Sequence, residues 1–64
     1  MQPYQQRVVE EAEQLDERID KLFAFTDHPQ FKLIPEDERD RMYRQLDAMR
    51  LYSLILHERI EAFT

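Results

Sequence analysis

The residues with the clearest chemical potential are Arg39, Tyr43, Arg44, Arg50, Tyr52 and Arg59, all in the second half of the chain. Guanidinium groups grip phosphate oxygens in a bidentate fork, and tyrosine rings offer flat faces on which bases stack. Lined up across an interface between copies of the chain, these six would form a pocket for an anionic nucleotide. A plainer reading uses some of the same side chains. Arg39, Arg41 and Arg44 lie among Glu36, Asp37, Glu38, Asp40 and Asp47, and exposed helices are commonly laced by such pairs. The two readings make opposite statements about where the guanidiniums point.

Catalytic arrangements are not supported. Nucleophilic catalysis needs a hydroxyl or thiol beside a base that a third group orients. Ser53 is the only serine and falls on an apolar stripe, cysteine is absent, and His28 and His57 are the only histidines. No spacing pairs them. His57 and Glu61 stand four apart and read as a surface pair rather than as metal ligands. Neighbouring carboxylates such as Glu10 and Glu11, or Asp16 and Asp20, read as solvated helix faces rather than as an acid–base pair. The expectation is a protein that is not an enzyme, with no cofactor and no metal.

These side chains must be positioned by a very small body. A chain of 64 residues holds one domain, residues 1–64, and buries only about 60% of its unfolded surface. Such domains need a staple: a disulfide, a metal or a partner chain. Without cysteine the first is excluded and a zinc site is disfavoured, which leaves self-association. The 14 acidic and 9 basic residues give a net charge of −5, against general binding of nucleic-acid backbones. A local arginine cluster can still oppose the global sign. No apolar run approaches the ~20 residues of a membrane span, and the first residues lack the apolar core of a signal peptide. A cytoplasmic protein is expected.

Glycine and asparagine are both absent, so tight hairpin turns and phosphate-cradling loops are disfavoured and the chain reads as all-helical. A first helix is expected from Pro3 to about Ala24, its seam formed by Val8, Ala12, Leu15, Ile19 and Leu22 in 4-3-4-3 spacing. Arg7, Glu11, Gln14, Arg18 and Lys21 form its solvated face. The connection runs from Phe25 to Ile34. Pro29 opens a short turn there, Thr26 or Asp27 caps it, and Phe31, Leu33 and Ile34 tuck into the end of the hairpin. A second helix opens at Pro35 and runs to Phe63. Its seam is Met42, Leu46, Met49, Ser53, Leu56, Ile60 and Phe63. From Leu51 to Leu56 this helix is apolar on nearly every side, more than one partner helix can cover. Ala48, Leu51, Tyr52, Ile55, Leu56 and Ala62 are therefore expected at an interface with another copy. The expected architecture is a helical hairpin of two long antiparallel helices, assembling into a homo-oligomeric helix bundle.

Two segments carry a resemblance. Tyr4-Gln5-x-Arg7-Val8-Val9-x-Glu11, followed by Leu15-Asp16-x-Arg18-Ile19-x-Lys21-Leu22-x-x-Phe25, is similar to a group of small phage and prophage accessory proteins. So is Gln45-x-x-x-Met49-x-x-Tyr52-x-x-x-Leu56-x-x-Arg59-Ile60-x-x-Phe63. The group is defined by likeness to an open reading frame of a crAss-like phage. The resemblance implies a phage origin and an accessory role in the host cytoplasm, with no catalytic residue to carry over. Small phage accessory proteins often counter host defence by binding, so three functions follow by analogy. The leading one is a homo-oligomeric sponge that sequesters a cyclic nucleotide immune signal. The others are an inhibitor or adaptor docking on a host defence protein, and a structural helper without a ligand.

Overall fold

The computed structural model describes residues 1–63; Thr64, the last residue of the expected domain, lies outside them. Helix α1 spans Pro3–Thr26, a 3-10 turn spans Pro29–Leu33, and helix α2 spans Glu36–Glu61. The described residues contain no strand. The two long helices pack as an antiparallel hairpin, a rod of 46 × 15 × 13 Å.

Both expected seams face inward. Val8, Ala12 and Leu15 of α1 are buried with Leu56 of α2, and Ile19, Met49, Ile60 and Phe63 close around them. Leu46 is buried nearer the connection. Aromatic rings hold the two ends. Tyr4 meets Phe63 edge-on at 5.8 Å at the open end, and Phe25 and Tyr43 each meet Phe31 edge-on, at 5.9 and 5.5 Å, at the closed end.

Pro3 opens α1 as expected, and Gln5 Oε1 accepts from the Gln2 backbone N–H at 2.8 Å, satisfying one orphan donor. The helix outlasts the expected end at Ala24 by two residues. Thr26 does not cap the following turn: its hydroxyl donates back to the Phe23 carbonyl at 2.6 Å. Nor does Asp27, which is the C-cap of α1. The cap of the 3-10 turn is His28, whose Nδ1 accepts the Gln30 N–H at 3.1 Å. Pro29 then supplies the fixed φ of the first turn position. Every described residue keeps a negative φ, so the chain reverses without glycine by inserting one 3-10 turn between two extended residues.

That turn also corrects the expectation that three apolar residues tuck inward. In a helix of three residues per turn, i and i+3 eclipse. Phe31 is 3% exposed and Ile34 sits half-buried beneath it, while Leu33 is turned outward and 82% exposed. Pro35 is the N-cap of α2 rather than its first residue, and Glu36, Asp37 and Glu38 fill the first turn, where carboxylates favour the positive end of the helix dipole. The helix stops at Glu61, two residues before the expected Phe63.

Replacing His28 by alanine removes the only side-chain acceptor at that cap. A loss of about 1 kcal/mol is expected, a fall in melting temperature of roughly 4–8 °C for a domain this small. His28→Asn keeps an acceptor in reach and should recover most of it. Equal melting temperatures for wild type and H28A would show that the cap is dispensable.

Candidate functional site

On α2 successive residues are about 100° apart, which divides the six candidate ligand residues between two sides. Arg39, Tyr43 and Arg50 fall on one flank of the helix. Arg44, Tyr52 and Arg59 fall on its outward side. One chain does not bring the six together.

On the first flank, Glu36, Arg39, Asp40 and Tyr43 line an open cleft of about 270 Å³. Arg39 Nε donates to the Ile34 carbonyl at 3.1 Å, tying the end of the connection to α2. It is thus positioned by a backbone oxygen rather than by a neighbouring carboxylate, contrary to the lacing expected for it. Tyr43 rests its edge on Phe31 and keeps half its surface open. Further along, the Arg50 guanidinium lies over the Phe23 ring at 5.2 Å, a cation–π contact. Phe23 follows the seam residue Leu22 in α1, and its pairing with Arg50 needs the register between helices. The lacing does hold for two arginines. Arg41 meets Asp37 at 3.6 Å and Glu38 at 2.8 Å, and Arg44 meets Asp40 at 3.2 Å. All of these groups are well exposed, and such pairs contribute little stability.

The residues expected at an interface divide as well. Ala48, Leu51, Tyr52, Ile55 and Ala62 are exposed, as is Leu54. Leu56 is not: at 1% exposure it belongs to the core of its own hairpin and has no surface left for another chain. Its position on the seam, three residues beyond Ser53, fits that burial.

A second cluster was not anticipated. Asp16 of α1 faces Ser53 and His57 of α2, which stand four apart on one helical face. Ser53 Oγ donates to Asp16 Oδ1 at 2.5 Å, and His57 Nε2 lies 2.8 Å from Asp16 Oδ2. His57 therefore pairs across the hairpin rather than with Glu61 as expected. Serine, histidine and aspartate meet here without forming a triad. In a triad the imidazole contacts the hydroxyl; here both contact the carboxylate, and the hydroxyl proton is already engaged. The hydrogen bond from Ser53, then that from His57, holds the Asp16 carboxyl below its ordinary value, against a smaller opposing effect of burial. A carboxylate with a lowered folded-state value adds stability above its unfolded value and loses it as pH falls through the folded one. The sequence did hold one clue. A serine on an apolar seam must find a partner from the facing helix, and Asp16 is next to the seam residue Leu15.

Among the described residues, no group of three or more potential metal ligands gathers, and no helix is long and apolar enough to cross a membrane.

In comparison with protein families, a family model described as Sequestin matches residues 2–62. Neither the curated proteins nor the solved structures contain a match.

Proposed function

We propose that this chain, which belongs to the Sequestin family, acts by stoichiometric binding as a homo-oligomer that withholds an anionic nucleotide from its receptor. The observation that carries this reading is the match over nearly the whole chain to a family whose name denotes sequestration. A binding role is coherent with a rod of two helices that carries its chemistry on open faces. The leading ligand is a cyclic nucleotide signal of bacterial immunity, and the setting is phage counter-defence in the host cytoplasm. The resemblance to small phage accessory proteins supports that setting.

The division of the arginines supports the oligomer. Arg39, Tyr43 and Arg50 of one copy would face Arg44, Tyr52 and Arg59 of another, so a complete site forms only between chains. The exposed side chains of Leu51, Tyr52, Leu54 and Ile55 supply apolar surface for such an interface. Interface cores are typically aromatic and apolar with arginine among them. A second reading, a protein-binding inhibitor docking on a host defence protein, is favoured by the same apolar patch together with the net charge of −5.

Native mass spectrometry on protein purified gently from a bacterial host separates the two. The expected result is a multiple of the 7.9 kDa chain mass carrying a few hundred extra daltons per site. A bare oligomer would favour the protein target, and a monomer would contradict both the interface and the shared site.

A further inference from the structure

Spacing along the chain leaves two arginines without a partner on their own helix. Lys21, Arg41 and Arg44 each have a carboxylate three or four positions back and pair with it. Arg18 and Arg59 have no carboxylate at three or four positions in either direction. Neither forms an ion pair among the described residues, and both are exposed. Arg39 and Arg50 are engaged differently, with the Ile34 carbonyl and the Phe23 ring.

The fold brings these two arginines to one broad side of the hairpin. Counted from the middle of each buried seam at about 100° per residue, Arg18 of α1 and Tyr52 and Arg59 of α2 lie roughly 80–100° to one side. Asp16, Phe23, Arg50 and His57 lie roughly 60–80° to the other, where their contacts join the helices. In an antiparallel pair equal offsets fall on the same side, so Arg18 shares a surface with Tyr52 and Arg59. Tyr4 against Phe63 and Phe23 against Arg50 fix the register, which sets Arg18 level with Tyr52 to within about one turn. Arg59 follows two turns on, about 10 Å along α2. Tyr52 keeps 44% of its surface open. Charge divides with the sides. Glu13, Asp16, Asp20, Asp47 and Glu61 lie on the side of the Asp16 contacts, while Arg7 and Glu11 share the side of Arg18. A chain of net charge −5 thus keeps a local basic surface with a tyrosine in it.

We propose that Arg18, Tyr52 and Arg59 of one hairpin form an anion-binding face, the two guanidiniums gripping the phosphates of a nucleotide and Tyr52 stacking a base. The proposal rests on the reading that the chain binds an anionic nucleotide, and it makes α1 as well as α2 a wall of the site. Arg18 and Arg59 can present the bidentate fork to phosphate without first giving up a carboxylate. Arg41 and Arg44 cannot. The tyrosine between them adds a flat face that any base can use.

Two measurements test this. The first follows the arginine Nε–H signals by NMR during titration with inorganic pyrophosphate, with chloride at matched ionic strength as the reference. Arg18 and Arg59, assigned through R18K and R59K, should shift most and saturate, and Arg41 and Arg44 least. Shifts that fail to saturate at Arg18, or that are largest at Arg39 and Arg50, overturn the face. The second is calorimetry with a cyclic dinucleotide. Arg18→Ala should bind about 10- to 100-fold more weakly than wild type, with an unchanged melting temperature because no contact within the chain is lost. Arg18→Lys should fall between. Lys21→Ala should bind like wild type, since Glu17 already holds that ammonium. Full affinity in R18A overturns the face and leaves sequestration standing. Saturation of Arg18 and Arg59 by pyrophosphate with no dinucleotide bound keeps the face and counts against a cyclic dinucleotide as the sequestered signal.

Discussion

Leu56→Ala is expected to leave the hairpin largely unfolded at 37 °C, whereas Leu54→Ala, two residues away, should fold normally. Leu56 is 1% exposed, enclosed by Val8, Ala12 and Leu15. Truncating a buried leucine costs about 2–5 kcal/mol, more where the cavity cannot collapse. Ala12 is already the smallest side chain the opposing helix can present, so the gap stays open. A chain of 64 residues has a total stability of roughly 3–10 kcal/mol at 0.05–0.15 kcal/mol per residue. One substitution therefore removes most of it. Leu54 lies on solvent in the single hairpin, and its truncation should change intrinsic stability by no more than about 0.5 kcal/mol. If Leu54 also faces another copy, its loss weakens association, and the rise of melting temperature with protein concentration becomes smaller. Melting curves at two concentrations distinguish the effects. Normal folding of L56A would sink the assignment of this residue to the core of its own chain.

The contrast between Leu54 and Leu56 also shows how much of the fold the sequence carries. Spacing of 4-3-4-3 is a local property of a helix, and it identified both seams residue by residue. The absence of glycine and asparagine disfavoured tight hairpin turns and so pointed to helices. What spacing does not contain is which of several apolar residues a given partner covers. Leu56 lies on the seam and within the apolar stretch from Leu51 to Leu56, and only the packed pair of helices decides between them. The connection failed for a different reason. Expecting Phe31, Leu33 and Ile34 to share a fate assumed a compact loop, but a 3-10 turn has a period of three, which separates Leu33 from the other two. The capping histidine was missed because Ser, Thr, Asp and Asn dominate N-caps, while an imidazole nitrogen serves equally well as an acceptor when it is neutral.

The candidate site was legible only in its ingredients. Arginine and tyrosine types are visible in any sequence, and so are the carboxylates beside them. Whether Arg39 turns to Asp40 or to a backbone oxygen depends on where the connection ends, a matter of tertiary structure. Asp16, Ser53 and His57 belong to the same category. They are separated by 37 and 41 positions in sequence, and nothing local links them. Their meeting follows from the register of two helices, which side-chain volumes along the whole seam determine together.

Removing arginines should have the largest effect on ligand binding. With a cyclic dinucleotide as the titrant in calorimetry, single alanine variants of Arg39, Arg44, Arg50 and Arg59 are each expected to weaken binding by about 10- to 100-fold. A hydrogen bond to a charged group contributes roughly 1.5–3 kcal/mol, and 1.4 kcal/mol is tenfold in affinity. Arg→Lys should fall between, since it keeps the charge and loses the bidentate fork. The existing pair with Asp40 does not disqualify Arg44. Both partners are exposed, and breaking such a pair costs at most about 1 kcal/mol, less than a phosphate contact returns. Asp40→Asn should accordingly raise affinity by up to about fivefold. Fold stability provides the control. Arg44 and Arg59 variants should melt close to wild type, while Arg39→Ala should melt lower because the Ile34 carbonyl loses its donor, and Arg50→Ala lower because the contact with Phe23 of α1 is lost. If the quadruple variant remains folded and still binds with wild-type affinity, the arginines are surface lacing. The apolar patch around Leu51 to Ile55 would then become the functional face, with a protein as its partner.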